Sequence, residues 1–139
     1  MKLNKYFDLR EFIPKDIYEI NGEDSINLID KRCIYAAYAF RIEFGTISIN
    51  DWLYGGDVNF RGYRPENCPI GVKRSMHKKG QAVDLVFLDT SIESVKRAVQ
   101  RDNYYWRYVV GITRIELGTP HLHIDFKETN NDEIEWFHP

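Results

Sequence analysis

The chain has 139 residues, a formal net charge of −2 and a hydrophobic fraction of 43%. This length fits one domain, residues 1–139, with a core of its own, and the composition is that of an ordinary globular protein. No basic block is present, so nucleic acid is not an expected partner. No segment is long and apolar enough to span a membrane, so we expect no membrane partner, and we expect a monomer.

The cysteines and the opening residues bear on location. Neither Cys33 nor Cys68 has a paired metal-binding spacing. Cys33 falls on an apolar helical stripe, which favours a buried free thiol, and a disulfide with Cys68 is the alternative. The opening MKLNKYFDLREF contains no apolar segment of signal-peptide length. We therefore expect cytoplasmic synthesis without a signal peptide.

The first half of the chain predicts one long helix. Residues 1–28 indicate irregular or short helical structure. Residues 30–44 predict a helix that ends at Gly45, because apolar residues recur at helical spacing at Cys33, Ala37, Phe40 and Phe44. Residues 46–49 alternate between polar and apolar side chains, which predicts a strand. Residues 50–69 predict a long loop, a feature that is often functional in a compact domain.

The second half predicts a strand, a helix and two further strands. The strand runs from Ala82 to Leu88, and a Thr-x-x-Glu capping box at 90–93 opens a helix that reaches about Arg101. Val109 to Ile115 and Leu122 to Phe126 read as strands. Helices and strands that do not strictly alternate predict an α+β domain, with a mostly antiparallel central sheet flanked by two or three helices. The polar tail ends in an aromatic pair, which we expect to attach it to the body.

Ionisable side chains concentrate in two segments, 75–84 and 121–125. Residues two apart in a strand share a face, so His121, His123 and Asp125 should lie side by side. A single His-x-His pair is most often a surface feature. His77 on a loop and Asp84 inside an apolar strand add to this pair, and together they favour a metal site. Two histidines and one carboxylate are the ligand set of a catalytic zinc.

The first segment has a specific spacing, Ser75-x-His77-x-x-Gly80-x-Ala82-x-Asp84. It resembles, at every fixed position, the signature of the zinc D-Ala-D-Ala carboxypeptidase family, which is grouped with the lysostaphin-type endopeptidases and the hedgehog signalling domain. His121-x-His123 is similar to the group's second motif. Arg61-Gly62-Tyr63-Arg64 is similar to a stretch upstream of the metal motif. The resemblance runs from about Thr46 to Phe126, and Tyr6 to Phe12 looks like the start of small phage-type members.

The resemblance implies one zinc ion per chain, in a cleft on the sheet. His77, Asp84 and His123 match the family's zinc ligands. His121 matches the histidine that acts as base or stabilises the transition state, and Arg64 matches an arginine that contacts the substrate carboxylate or carbonyl.

Three further residues are expected to support the site. Ser75 would hydrogen-bond near the site. Asp125 either orients a neighbouring histidine or is an ordinary carboxylate at a strand end, and Arg61 is either a second substrate contact or a solvated loop arginine. Several family members have a glutamate as base three residues before the last ligand, where this chain has Pro120. Glu116 is out of register with that position, so His121 is the preferred base and Glu116 the alternative.

The implied activity is hydrolysis of peptide bonds in the stem peptides of bacterial peptidoglycan, as a D,D-carboxypeptidase or an endopeptidase. Zinc-activated water would attack the carbonyl, with His121 as base and Arg64 as substrate or oxyanion contact. The phage-like opening suggests a lytic enzyme that acts at the cell wall after release, or a component of a phage particle.

Two rival functions stay open. A non-catalytic structural or binding module of the same fold, such as a virion component, could keep the zinc without turnover. A rolling-circle nicking nuclease uses a His-hydrophobic-His metal motif, and Tyr6 or Tyr18 would then be its nucleophile. The acidic net charge and the complete first motif argue against the nuclease.

Overall fold

The computed structural model describes residues 1–71 and 75–139. Over those residues the chain forms an α+β fold with one five-stranded sheet. The strands are β1 (Ile47–Ser48), β2 (Ala82–Phe87), β3 (Arg114–Glu116), β4 (Leu122–Asp125) and β5 (Glu135–Phe137). The helices are α1 (Lys15–Asn21), α2 (Lys31–Phe44), α3 (Ile92–Arg101) and a π-helix (Tyr105–Val110), with short 3-10 turns at Leu9–Glu11, Gly22–Leu28, Trp52–Tyr54 and Met76–Lys79.

The sheet has the spatial order β1-β2-β4-β3-β5. Strand β2 pairs antiparallel with β1 and β4, and β4 pairs antiparallel with β3. The last pairing, β3 with β5, is parallel. The predicted α+β class is confirmed. The sheet, which was expected to be mostly antiparallel, is mixed, because the tail returns along β3 as a further, parallel strand. Four helices within the described ranges replace the two or three expected.

The predicted helices occur where the apolar spacing placed them. The side chain of Asp30 accepts a hydrogen bond from the backbone N–H of Arg32 and so caps α2, and Gly45 ends this helix with φ 88°. In α3 the cap is Ser91 rather than Thr90, because the Ser91 side chain accepts from the backbone N–H of Ser94. The predicted helix bounds are therefore correct within a residue.

The predicted strand at 109–115 is wrong over its first five residues. The backbone there is π-helical as far as Val110, and the strand begins only at Arg114. The ring of Trp106 stacks on Phe40 at 4.2 Å between centroids, which holds the turn against α2. Gly111, with φ 98°, then ends the π-helix. Tertiary packing therefore overrides the β propensity of the two valines.

The hydrophobic core lies between α2 and the sheet. Its buried members on α2 are Cys33, Ala36, Ala37 and Phe40. The sheet contributes Val83, Leu85, Leu122 and Ile124, and α3 contributes Val95 and Val99. Both cysteines are buried free thiols, as predicted for Cys33. No described helix combines the length and apolar character needed to cross a bilayer.

Candidate metal centre

The first histidine of the site stands on a tight 3-10 turn. The Ser75 hydroxyl accepts a hydrogen bond from the backbone N–H of His77 at 3.2 Å, which opens the turn. Gly80 closes it in the left-handed region, with φ 70°. A Cβ at Gly80 would collide with the carbonyl oxygen of Leu28. The serine and glycine of the motif therefore shape the turn that presents His77.

The other two members of the site face each other across neighbouring strands. Asp84 on β2 and His123 on β4 are direct partners in the antiparallel register. Asp84 Oδ1 lies 3.0 Å from His123 Nδ1 and 3.1 Å from His77 Nε2, and the two nitrogens are 3.2 Å apart. All three side chains are buried. Together they form a group, here called the metal triad, that could hold a metal ion.

The outer ring nitrogens of both histidines are fixed by acceptors. His77 Nδ1 lies 2.8 Å from the carbonyl oxygen of Gly62. His123 Nε2 lies 2.9 Å from Asp125 Oδ2. A carbonyl and a carboxylate only accept, so these two nitrogens carry the hydrogens and donate. In neutral rings the inner nitrogens then present lone pairs, which is the arrangement that metal-binding histidines use.

The metal triad fits a small divalent cation. Three acceptor atoms that converge on one point repel each other unless a cation lies among them. Tetrahedral zinc with bonds of about 2.0–2.1 Å has ligand atoms about 3.3 Å apart. The separations of 3.0–3.2 Å in the triad are close to that value. Imidazole nitrogen and carboxylate oxygen also suit other first-row ions, so the donor set defines a metal site more sharply than it defines the metal.

The charges in the triad are strongly coupled. Burial alone would raise the pKa of Asp84, but the attraction of the His123 and His77 rings, which lie against its Oδ1, outweighs that effect, and this pKa lies well below its usual value. Burial opposes protonation of His123, but hydrogen bonds to Asp125 and Asp84 raise its pKa to about 9. At neutral pH a proton on His123 therefore supplies the positive charge among the converging acceptors.

Asp125 contacts His123, which was one of its two predicted roles. Its side chain is fully buried and also accepts two hydrogen bonds from Arg114, at 2.9 Å from Nε and 2.8 Å from Nη2. Burial raises the pKa of Asp125, but His123 and Arg114 outweigh this effect and lower it. Sequence reasoning missed Arg114. Only the strand register, which pairs Arg114 with Asp125, reveals its place.

Arg64 and His121 flank the triad at the second carboxylate oxygen of Asp84. Arg64 Nη2 donates to Asp84 Oδ2 at 3.3 Å, and Arg64 Nε donates to the carbonyl oxygen of Phe60 at 2.7 Å. His121 Nε2 lies 3.4 Å from Asp84 Oδ2. Burial lowers the pKa of His121 and outweighs the opposing attraction of Asp84. His121 is thus neutral at pH 7 and can accept a proton.

Glu116 also reaches the triad. Its Oε2 lies 3.6 Å from His123 Nδ1. In the register of β3 and β4, Ile115 pairs with Ile124, and one further step brings Glu116 beside His123. Glu116 is out of register when residues are counted back along the chain from His123. In the structure it reaches His123 from the neighbouring strand, β3.

Arg61 acts through its backbone. Its carbonyl oxygen accepts the backbone N–H of Asp84 at 2.7 Å, and its Nη1 donates to the carbonyl oxygen of Ile49 at 3.3 Å. Its side chain does not line the pocket described below. Trp52, in the same region of the chain, donates from Nε1 to the carbonyl oxygen of Ile13.

The metal triad opens into a pocket with a volume of about 280 Å³. Besides the triad, it is lined by Arg64, Gly71, Ser75, Met76, Arg114, Glu116, His121, Asp125, Phe137 and Pro139. A larger cavity of about 650 Å³ lies beside the π-helix and contains none of these residues. The smaller pocket gathers the ionisable groups and is therefore the candidate site.

No protein-family model, curated protein or solved structure matches the chain. The residues of the pocket and the spacing of the motif are therefore the basis for assigning a function.

Proposed function

We propose that the protein is a zinc-dependent metallopeptidase that hydrolyses peptide bonds in the stem peptides of bacterial peptidoglycan. One observation carries the proposal: two histidines with fixed outer nitrogens and one carboxylate converge at 3.0–3.2 Å at the base of an open pocket. The motif spacing supports the substrate class. A lytic enzyme released to the cell wall, or a component of a phage particle, is the setting that this activity would suit.

The ligands would be His77 Nε2, Asp84 Oδ1 and His123 Nδ1. Zinc, when bound, supplies Lewis acidity that polarises a carbonyl and lowers the pKa of water from 15.7 to roughly 7. The protein contributes the rigid placement of the donors. Gly62 and Asp125 hold the two rings, so little ordering is needed when the ion binds.

His121 is the proposed base. It is partly exposed to the pocket, its side chain being 27% accessible, and its lowered pKa keeps it neutral at pH 7. It can therefore take a proton from water at Nε2 and return it to the leaving amine. Glu116, beside His123, is the alternative proton acceptor.

Arg64 is the proposed contact for the substrate carbonyl or terminal carboxylate. Its Nε and Nη2 already donate within the protein, which fixes the guanidinium plane. Among the described residues its Nη1 has no hydrogen bond, and it lies beside Gly71, where a Cβ would be 2.8 Å from it. This nitrogen can donate to a substrate oxygen, since a fixed positive charge stabilises an oxyanion.

The test is a digest of purified peptidoglycan with zinc-loaded protein, read by mass spectrometry of the released fragments. We expect new peptide termini that require zinc and that disappear with His123→Ala. His138→Ala is the matched control, because this exposed histidine lies outside the triad and does not line the pocket. Released fragments identify the bond that is cleaved.

A non-catalytic zinc module is the second candidate. The engagement of Arg64 with Asp84 and Phe60 favours it, because an arginine with that role stabilises the site even without substrate. Intact peptidoglycan after incubation with stoichiometrically zinc-loaded protein would exclude the peptidase for this substrate and favour the module.

A further inference from the structure

Arg114 contacts Asp125, and Asp125 in turn contacts His123 of the metal triad. Its guanidinium forms a two-pronged pair with Asp125, at 2.9 and 2.8 Å. The same carboxylate accepts from His123 Nε2 at 2.9 Å. Arginine, carboxylate and imidazole therefore form a continuous hydrogen-bonded series that ends at a proposed metal ligand.

The last strand, β5, packs against this series. The Arg114 Cζ atom lies 3.9 Å from the centre of the Phe137 ring, a cation–π distance. The Phe137 ring also meets His123 edge-on, at 6.0 Å between ring centres and 82° between planes. The parallel register pairs Arg114 with Glu135 and Glu116 with Phe137. The tail thus reaches the metal triad through one aromatic side chain.

We propose that Arg114 is a positioning residue for His123, that it acts through Asp125, and that Phe137 holds the guanidinium in place. The inference rests on the metal site of the proposed function and not on peptide hydrolysis. A guanidinium fork fixes the plane of a carboxylate, which a lysine ammonium cannot do. The fixed carboxylate sets the rotation of the His123 ring, and this rotation aims Nδ1 at the other two donors.

The first experiment measures zinc affinity by competition with a chromophoric chelator and the visible absorption of bound Co²⁺. The variants are Arg114→Lys, Asp125→Asn and the double variant. We expect Arg114→Lys to weaken zinc binding roughly 10- to 100-fold and to alter the Co²⁺ spectrum. The double variant should bind no more weakly than Asp125→Asn, because the arginine acts only through that carboxylate.

The matched control is Arg10→Lys. Arg10 makes a similar fork with Asp8, at 2.8 and 3.0 Å, and neither residue lines the pocket. We expect this variant to keep zinc affinity and the Co²⁺ spectrum. An effect seen with Arg114→Lys but not with Arg10→Lys is then specific to the arginine–carboxylate pair that contacts His123.

A second test addresses Phe137. Phe137→Leu keeps apolar bulk and removes the ring, so we expect weaker zinc binding and a shifted ¹⁵N spectrum of the His123 ring. Tyr6→Leu is its control, because Arg41 lies 4.2 Å from that ring, away from the pocket.

Folded Arg114→Lys protein with wild-type zinc affinity and Co²⁺ spectrum would overturn the inference. Effects that add in the double variant would do the same. Wild-type protein that binds no zinc would overturn both this inference and the metal site. Zinc-binding wild-type protein that leaves peptidoglycan intact would overturn only the peptidase, because none of these measurements requires turnover.

Discussion

Two buried carboxylates of this protein have opposite surroundings. Asp8 opens the turn Leu9–Glu11, and its oxygens accept from the backbone N–H, Nε and Nη2 of Arg10 at 2.8–3.0 Å. The Glu11 carboxylate in turn accepts the backbone N–H of Asp8 at 2.9 Å. Each of these acceptors has a donor that comes from within four residues of sequence, as in an ordinary capping box.

Asp84 is buried more deeply, with 2% of its surface exposed against 9% for Asp8. Its Oδ1 faces the inner nitrogens of two imidazole rings. The outer nitrogen of each ring donates its hydrogen on the side away from Asp84. The comparison separates two reasons for burying a charge. A carboxylate that finds donors locally stabilises a turn, whereas Asp84 shares its space with two ring nitrogens, one of them on a protonated His123, and a metal ion can take the place of that proton.

The difference between Asp8 and Asp84 is tested by replacing each carboxylate with a neutral amide of the same shape. We expect Asp84→Asn to remove measurable zinc binding, because a neutral amide is a poor ligand for zinc and cannot offset the charge of the ion. Asp8→Asn should leave zinc affinity unchanged. Calorimetric titration of both variants measures the difference, and zinc binding by Asp84→Asn at wild-type strength would refute the assignment.

The next largest effect concerns turnover. We expect His121→Ala to lower kcat about 100-fold or more, with zinc affinity unchanged, because a base and not a ligand is lost. Glu116→Gln is the matched variant on the neighbouring strand and should lower kcat less than His121→Ala does. Steady-state kinetics on a stem peptide decides between them, and a larger loss in Glu116→Gln would transfer the role of base to that residue.

The proton on His123 predicts a pH dependence of metal binding. Zinc must displace this proton, and the pKa of His123 in the metal-free protein is about 9. Zinc affinity should therefore rise about tenfold per pH unit from pH 7 and level off near pH 9. Titrations in chelator-buffered zinc measure the curve. A plateau already at pH 6.5, the ordinary value for histidine, would contradict the coupling within the triad.

The smallest expected effect concerns acid stability at Asp8. Burial alone would raise the pKa of this carboxyl, but the hydrogen bonds from Arg10 outweigh it and lower the pKa to about 2. Because the folded pKa is below the unfolded one, the stabilisation is complete above about pH 4 and is lost as pH falls towards 2. Denaturant unfolding of wild type and Asp8→Asn should differ at pH 5 and converge near pH 2. A constant difference across that range would contradict this assignment.

The sequence predicted the turn and strand that carry His77 and Asp84 because the signal for them is local. The spacing of Ser75, His77, Gly80 and Asp84 encodes a capped turn that leads into a strand, and each of those residues has a role that the structure explains. The apolar spacing of α2 and α3 likewise depends on residues within one helix.

Other features depend on pairing between distant segments, which the sequence does not show. Arg114 and Glu116 reach the site only through the register of β3 with β4, and Phe137 reaches it only through a parallel pairing of the tail. The π-helix forms because Trp106 stacks on Phe40, far away in sequence. Local propensity predicted a strand for Val109 and Val110, and it was wrong for that reason.

The direct pairing of Asp84 with His123 has a kinetic consequence. These residues are 39 positions apart, and their donor atoms meet only after β2 and β4 have paired. A metal ion therefore has no complete site on the chain until that long-range step is past. It should slow unfolding and leave the folding rate nearly unchanged, so the ion would extend the lifetime of the folded protein without guiding its formation.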